Sequence, residues 1–245
     1  MAPHRRHTDR GYEEELAEIR KRLLLMAGRV EHMIEQAVRA FVQRNVALAR
    51  DTIALDRQVN QDEVEIDAQC LEVLARRQPM ASDLRFLTLA LKMVVDLERI
   101  GDLAVNICER AIDMADLEPL IGLDGIQELG DSARKMVHDA IEAFVESDAS
   151  LARRVIELDD RVDELYHRVF REVLQQMIAD QRTIQRGIHV QSAAKFLERI
   201  GDHATNLAEE VVFYVEGRDI RHPGKRSEEP NAGVEGNAES GETHS

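Results

Sequence analysis

Two sets of oxygen-bearing side chains recur in this 245-residue chain at a spacing that a single helix face would align. Glu98, Asp102 and Asn106 stand at i, i+4 and i+8, and Glu198, Asp202 and Asn206 repeat the pattern. On a helix each set forms one ridge, and counting 100° per residue places that ridge away from the apolar stripe. Two carboxylates one turn apart repel each other mildly, so the arrangement is locally unfavourable unless a cation binds there. Hard cations such as magnesium, manganese and ferric iron take carboxylate and carbonyl oxygens. Asp159 and Asp163, again i and i+4, would complete such a site from another helix. Their counterpart is Asp56 and Asn60, with one charge fewer, so the first site is expected to hold metal more weakly.

The same ridge also fits an ordinary solvated helix face, with Arg99–Asp102 and Arg199–Asp202 as i, i+3 ion pairs. Its repetition brings the cation reading level with the solvated one. Gly101 and Gly201 carry a cost of about 1 kcal/mol each inside a helix. Close helix packing and close approach of a ligand both account for them. His203, which replaces Leu103, reads as an exposed helix histidine. Glu164 and His167 have the Glu-x-x-His spacing of ferritin-like di-iron helices, but only once. No dinucleotide fingerprint, Walker loop or nucleophile elbow is present. No catalytic constellation is visible, and the chain is read as a non-enzyme.

The ridges belong to a longer internal repeat. Residues 96–107 and 196–207 match at eight of twelve positions, including the contiguous Leu-Glu-Arg-Ile-Gly-Asp. Upstream, Leu55–Asn60 matches Leu158–Asp163 at an offset of 103, and Phe41 and Phe144 share that offset. The chain is therefore read as a duplicated three-helix unit.

Six helices must position these residues. Leu16, Ile19, Leu23, Met26, Val30, Met33, Ala37 and Phe41 form a heptad-like stripe over 12–44. A second helix runs from Val46 to Gln78, with Leu55, Val59, Ile66, Cys70 and Val73 inward, and Pro79 ends it. Ser82 caps a third reaching about Asp116. Helices over 126–147, 149–179 and from a Thr183 cap to Glu216 follow. The expected organisation is a flexible 1–11, a first bundle over 12–116, a linker over 117–125, a second bundle over 126–216, and a tail from Gly217. Within that tail 227–245 holds five Glu and no Lys or Arg, which reads as disordered and acidic. The fold class is all-α: two similar antiparallel three-helix bundles.

Composition narrows the function. The net charge is −15, with 47 acidic and 32 basic residues, so a nucleic-acid partner is not expected. No apolar run approaches the roughly 20 residues that span a bilayer, and no signal peptide is visible at the start. Two cysteines make no disulfide framework; Cys70 and Cys108 read as buried thiols in a cytoplasmic setting.

Leu-Glu-Arg-Ile-Gly-Asp-x-Ala-x-Asn, present twice, strongly resembles the PhoU family of phosphate-signalling proteins, as does Gln78–Arg85 before the first copy. The resemblance covers residues 12–216. It implies two three-helix bundles side by side and a cytoplasmic negative regulator of phosphate uptake and the phosphate-starvation response. It further implies an adaptor between two partners, the ATPase subunit of the phosphate ABC transporter and a membrane sensor histidine kinase, and a homodimer. By position, the family's metal clusters fall on Glu98, Asp102, Glu198, Asp202, Asp159, Asp163 and Asp56, with Asn60, Asn106 and Asn206 as additional polar ligands. Iron, zinc, manganese and magnesium are the candidate ions. Asn60 departs from the acidic pattern. Two other readings of the residues stand beside this one: a metal-dependent enzyme or metal store using the same carboxylates, and a structural bundle that dimerises.

Overall fold

A computed structural model of the chain describes residues 10–118, 124–218 and Ile220. Among these, six α-helices follow in order: α1 (Arg10–Gln43), α2 (Val46–Arg77), α3 (Ala81–Asp113), α4 (Asp124–Glu146), α5 (Ala149–Ala179) and α6 (Ile184–Glu216). A short 3-10 turn, Gln181–Thr183, precedes α6. Of the expected flexible 1–11, linker 117–125 and tail 217–245, residues 1–9, 119–123, 219 and 221–245 lie outside the described residues, and α1 already begins at Arg10.

Each half is a three-helix bundle. α1, α2 and α3 pack pairwise, as do α4, α5 and α6, and the halves meet through α3 against α6 and α1 against α4. The apolar periods explain this packing. Of the α1 stripe, every member but the partly buried Leu16 is buried, and Phe41 and its repeat partner Phe144 are fully enclosed. Burial on this scale is the main stabilising term of such a bundle.

The duplication extends to the turns. Arg44 (φ 55°) and Ser147 (φ 53°) adopt left-handed backbone at equivalent positions. Asn45 and Asp148 then cap α2 and α5, accepting from Leu48 N and from Ser150 N and Leu151 N. The backbone N–H of Asn45 donates to Ala40 O and that of Asp148 to Ala143 O, both at 2.9 Å. Gly217 (φ 69°) closes α6 with its N–H on Phe213 O.

Two capping expectations need correction. Ser82 lies inside α3; Met80 is the N-cap and supplies no side-chain bond, while Ser82 Oγ donates to Asp83 Oδ1. Thr183 is the residue before α6, but its hydroxyl donates back to Gln176 O and Asp180 O instead of capping. α3 ends at Asp113, not Asp116, and α4 starts at Asp124, two residues early.

Candidate functional site

Each glycine of the repeated motif sits where two helices of one bundle touch. A Cβ on Gly101 would lie 3.4 Å from Val59 Cγ1 and 3.7 Å from Asp56 Oδ1, both on α2. A Cβ on Gly201 would lie 3.1 Å from Val162 Cγ1 on α5. Close packing is therefore the structural role of Gly201, whereas a Cβ on Gly101 would meet α2 at ordinary van der Waals distance.

The ridges face outward only in part: Asp202 and Asn206 are exposed, but the two glutamates are not. The side chains of Glu98 and Glu198 are only 16% and 12% exposed, whereas Asp102 remains 42% exposed. Asp102 lies beside Asp56 in the α2–α3 seam, and Asp202 beside Asp159 in the α5–α6 seam.

In the first seam, Asp56 of α2 meets Glu98 and Asp102 of α3. Burial pushes the Asp56 carboxyl above the ordinary range and the Asp102 charge adds to this, while a bond from Asn60 Nδ2 at 3.0 Å opposes it. Glu98 is pushed up by burial and then by Asp102, with Arg99 opposing and Glu63 and Asp56 contributing. Glu63 is raised as well, by burial and by Asp67. Glu63 and Asp67 were missed in the sequence because their repeat positions hold Tyr166 and Phe170; the i, i+4 spacing on the helix of Asp56 was the available signal. An open groove of about 830 Å³ adjoins Asp56 and Asn60.

In the second seam, burial and then the Asp202 charge raise the Asp159 carboxyl, with Asp163 and Asp160 adding to the rise and Thr205 opposing it. Glu198 is held by Lys195 Nζ at 2.5 Å. The solvated-face reading retains some ground: Arg99 Nη1 and Asp102 Oδ2 stand 3.4 Å apart.

Among the buried polar atoms without a hydrogen-bond partner are two carboxylate oxygens of these seams, Asp56 Oδ1 in the first and Glu198 Oε2 in the second. Buried carboxylate oxygens left bare are costly, and a hard cation is the natural partner for them. Among the described residues, no three His, Cys, Asp or Glu side chains form a ready-made cage. The carboxylates stand as facing walls of a groove.

Two placements change. His203 is not an exposed histidine: its ring is 19% exposed and Nδ1 lies 2.8 Å from Asp96 Oδ1 across the α3–α6 contact. Asn206 also turns to α3, donating to Asp96 Oδ1 at 3.3 Å, and so faces away from the α5 carboxylates. Cys70 and Cys108 are buried free thiols, both pushed by burial up to about 12.

The chain matches the PhoU domain twice, over residues 23–111 and 126–211. It is 43% identical over 219 residues to a phosphate-specific transport system accessory protein PhoU homolog of Pseudomonas putida, covering 89% of this chain and 86% of that protein. It is 36% identical to the phosphate-specific transport system accessory protein PhoU of Escherichia coli K12, covering 89% and 91%. The crystal structure of PhoU from Pseudomonas aeruginosa superposes with a TM-score of 0.82 at 41% identity, over 84% of this chain and all of that one. That of the phosphate transport system regulatory protein PhoU from Streptococcus pneumoniae gives 0.79 at 25% identity, over 85% and 99%. Relatives so named are accessory and regulatory proteins of phosphate transport, and by domain content, identity and fold this chain belongs to the PhoU family.

Proposed function

We propose that this chain is a cytoplasmic negative regulator of phosphate uptake and of the phosphate-starvation response. It acts as an adaptor between the ATPase subunit of the phosphate ABC transporter and a sensor histidine kinase, and performs no catalysis itself. The observation that carries this reading is the duplicated motif on two bundles, in a chain whose relatives are named accessory proteins of phosphate transport. Among the described residues no helix is long and apolar enough to cross a membrane, so membrane proximity is assigned to the partners.

Metal ions on the two carboxylate seams are part of the proposal. Asp56, Glu98 and Asp102 would hold one, and Asp159, Asp163, Glu198 and Asp202 the other. The residues fit such ions: their like charges are crowded, several carboxyls are pushed up by burial, and Asp56 Oδ1 and Glu198 Oε2 have no other partner. A bound cation would neutralise the crowding and tie α2 to α3 and α5 to α6. The body that partners meet would thereby be stiffened. At the second seam Gly201 lets α6 approach α5 closely.

Co-purification with the transporter ATPase and the sensor kinase, at high and low phosphate, tests the adaptor role. Recovery of both partners with a phosphate-dependent ratio is expected. Recovery of neither, with both partners present at normal levels, would contradict it. Titration of metal-stripped protein with iron, zinc, manganese or magnesium tests the seams: binding is expected in the wild type and is lost from the second seam in Glu198→Ala with Asp202→Ala.

A further inference from the structure

The α5–α6 seam changes character along its length. Around its middle it carries Asp159, Asp163, Glu198 and Asp202. Toward the turn between the helices it carries Phe170, Leu174 and Ile178, at i, i+4 and i+8 on α5, and Ile184 and Ile188, at i and i+4 on α6. Tyr166, one turn before Phe170, lies 5.4 Å from the Lys195 ammonium, and Lys195 stands seven residues after Ile188, so the two apolar rows flank one seam. The helices touch up to their turn, because Gly187 of α6 rests against Val173 and Met177 of α5. All five apolar side chains are exposed, Ile178 to 75% and Ile188 to 54%.

The hairpin's own fold does not require them. The first bundle builds the equivalent hairpin with Asp67 in place of Phe170, Ala75 in place of Ile178 and Thr88 in place of Ile188. At about 200 Å² for a large side chain fully in water, the exposed fractions leave about 450 Å² of apolar surface open in one strip. A patch of this size equals the largest that a typical monomer carries and often serves a function. Charge favours one occupant. Residues 170–198 hold four basic and three acidic side chains, in a chain of net charge −15. Asp180 pairs with Arg182 and Glu198 with Lys195, and the exposed Gln175, Gln181 and Gln185 near the turn carry no charge. Two copies of an acidic chain repel each other, and that repulsion is least where they meet through a neutral face.

We propose that this strip is the face on which a second copy of the chain docks, each strip covering the other about a two-fold axis. Such a contact is isologous and closes on itself. It buries about 900 Å² of apolar surface from the two copies together, the apolar share of a standard interface of about 1,600 Å². α1, α2 and α3 contribute nothing to the strip, so the first bundle keeps its own surfaces for other partners.

Sedimentation velocity of the full chain over a range of micromolar concentrations tests this, with chelator present so that the result does not depend on metal. The wild type is expected to sediment as a dimer. Ile178→Glu with Ile188→Glu should raise the Kd of that dimer at least about a hundredfold while circular dichroism shows the same helical content. Ile178→Ala with Ile188→Thr installs the residues that the first bundle carries at these places, which this hairpin fold accepts, and should weaken the dimer in the same direction. Leu71→Glu with Leu84→Glu, at exposed apolar positions of the first bundle's hairpin, should leave the dimer intact. A wild type that stays monomeric overturns the proposal, whether or not it sediments with vesicles of neutral phospholipid in place of a second copy. A dimer that both strip variants leave unchanged, or that the Leu71 and Leu84 changes break instead, overturns the choice of face.

Discussion

Replacing Asp56 by Asn should stabilise the metal-free protein and weaken its response to metal. Asp56 is partly buried, its carboxyl is raised by burial and by Asp102, and its Oδ1 has no hydrogen-bond partner. Asparagine keeps the volume and can still accept the bond from Asn60. Solvent screens the cluster, because Asp102 is 42% exposed. Removal of one like charge is therefore worth only about 0.5–1 kcal/mol. In a chain of this size that raises Tm by about 1–4 °C. A cation at a hundredfold over its Kd adds about 2.7 kcal/mol, or about 5–10 °C, to a protein that holds it. Thermal unfolding followed by circular dichroism, with chelator and then with manganese, reads both effects. With chelator the variant should melt higher; with manganese the wild type should gain more. The sign with pH follows from the raised carboxyl. Its contribution is fully present below the unfolded value and is lost as pH rises through the higher folded value. The variant's advantage at neutral pH should therefore shrink on acidification toward the ordinary carboxylate range. A metal-free variant that melts below the wild type would refute the charge-crowding argument. Equal manganese shifts in both proteins would remove Asp56 from the site.

Gly130→Ala should destabilise the contact between the halves. Its Cβ would stand 2.5 and 3.0 Å from the Val38 methyls on α1, and a β-branched neighbour yields poorly. A loss of about 1–3 kcal/mol outweighs the helix-propensity gain of about 1 kcal/mol, whereas Gly101→Ala, at 3.4 Å, should be neutral or slightly stabilising in urea unfolding. Asp96→Ala strips partners from His203 and Asn206 and should lower stability by about 1–2 kcal/mol in the same assay. Tyr12 donates to Asp83 Oδ2 at 2.9 Å, and burial followed by that bond pushes its hydroxyl up to about 12. The resulting stability is complete below the ordinary tyrosine value and lost as pH rises through about 12. A tyrosinate absorbance titration should show one late-ionising group, absent in Tyr12→Phe.

The helices and the duplication were legible because burial imposes a 3.6-residue period and because both copies kept it. Phe41 and Phe144 illustrate this: one offset relates them, and both ended fully enclosed. A wheel drawn for one helix could place Glu98 and Glu198 off the apolar stripe. It could not see that α2 packs on α3, and α5 on α6, beside them. Glu63 escaped notice because repetition served as the signal and the second copy has Tyr166 there. His203 and Asn206 were misplaced for a related reason. Their partner, Asp96, lies in the other bundle, and its own repeat position holds Phe196, so no pattern within the sequence pairs them.

The central claim is that the chain represses the phosphate-starvation response when phosphate is plentiful. Transcripts of that response, measured in phosphate-rich medium after deletion of the gene, test it most directly. The account predicts that they rise and that the full chain supplied from a plasmid returns them to the wild-type level. Transcripts unchanged by the deletion would contradict it.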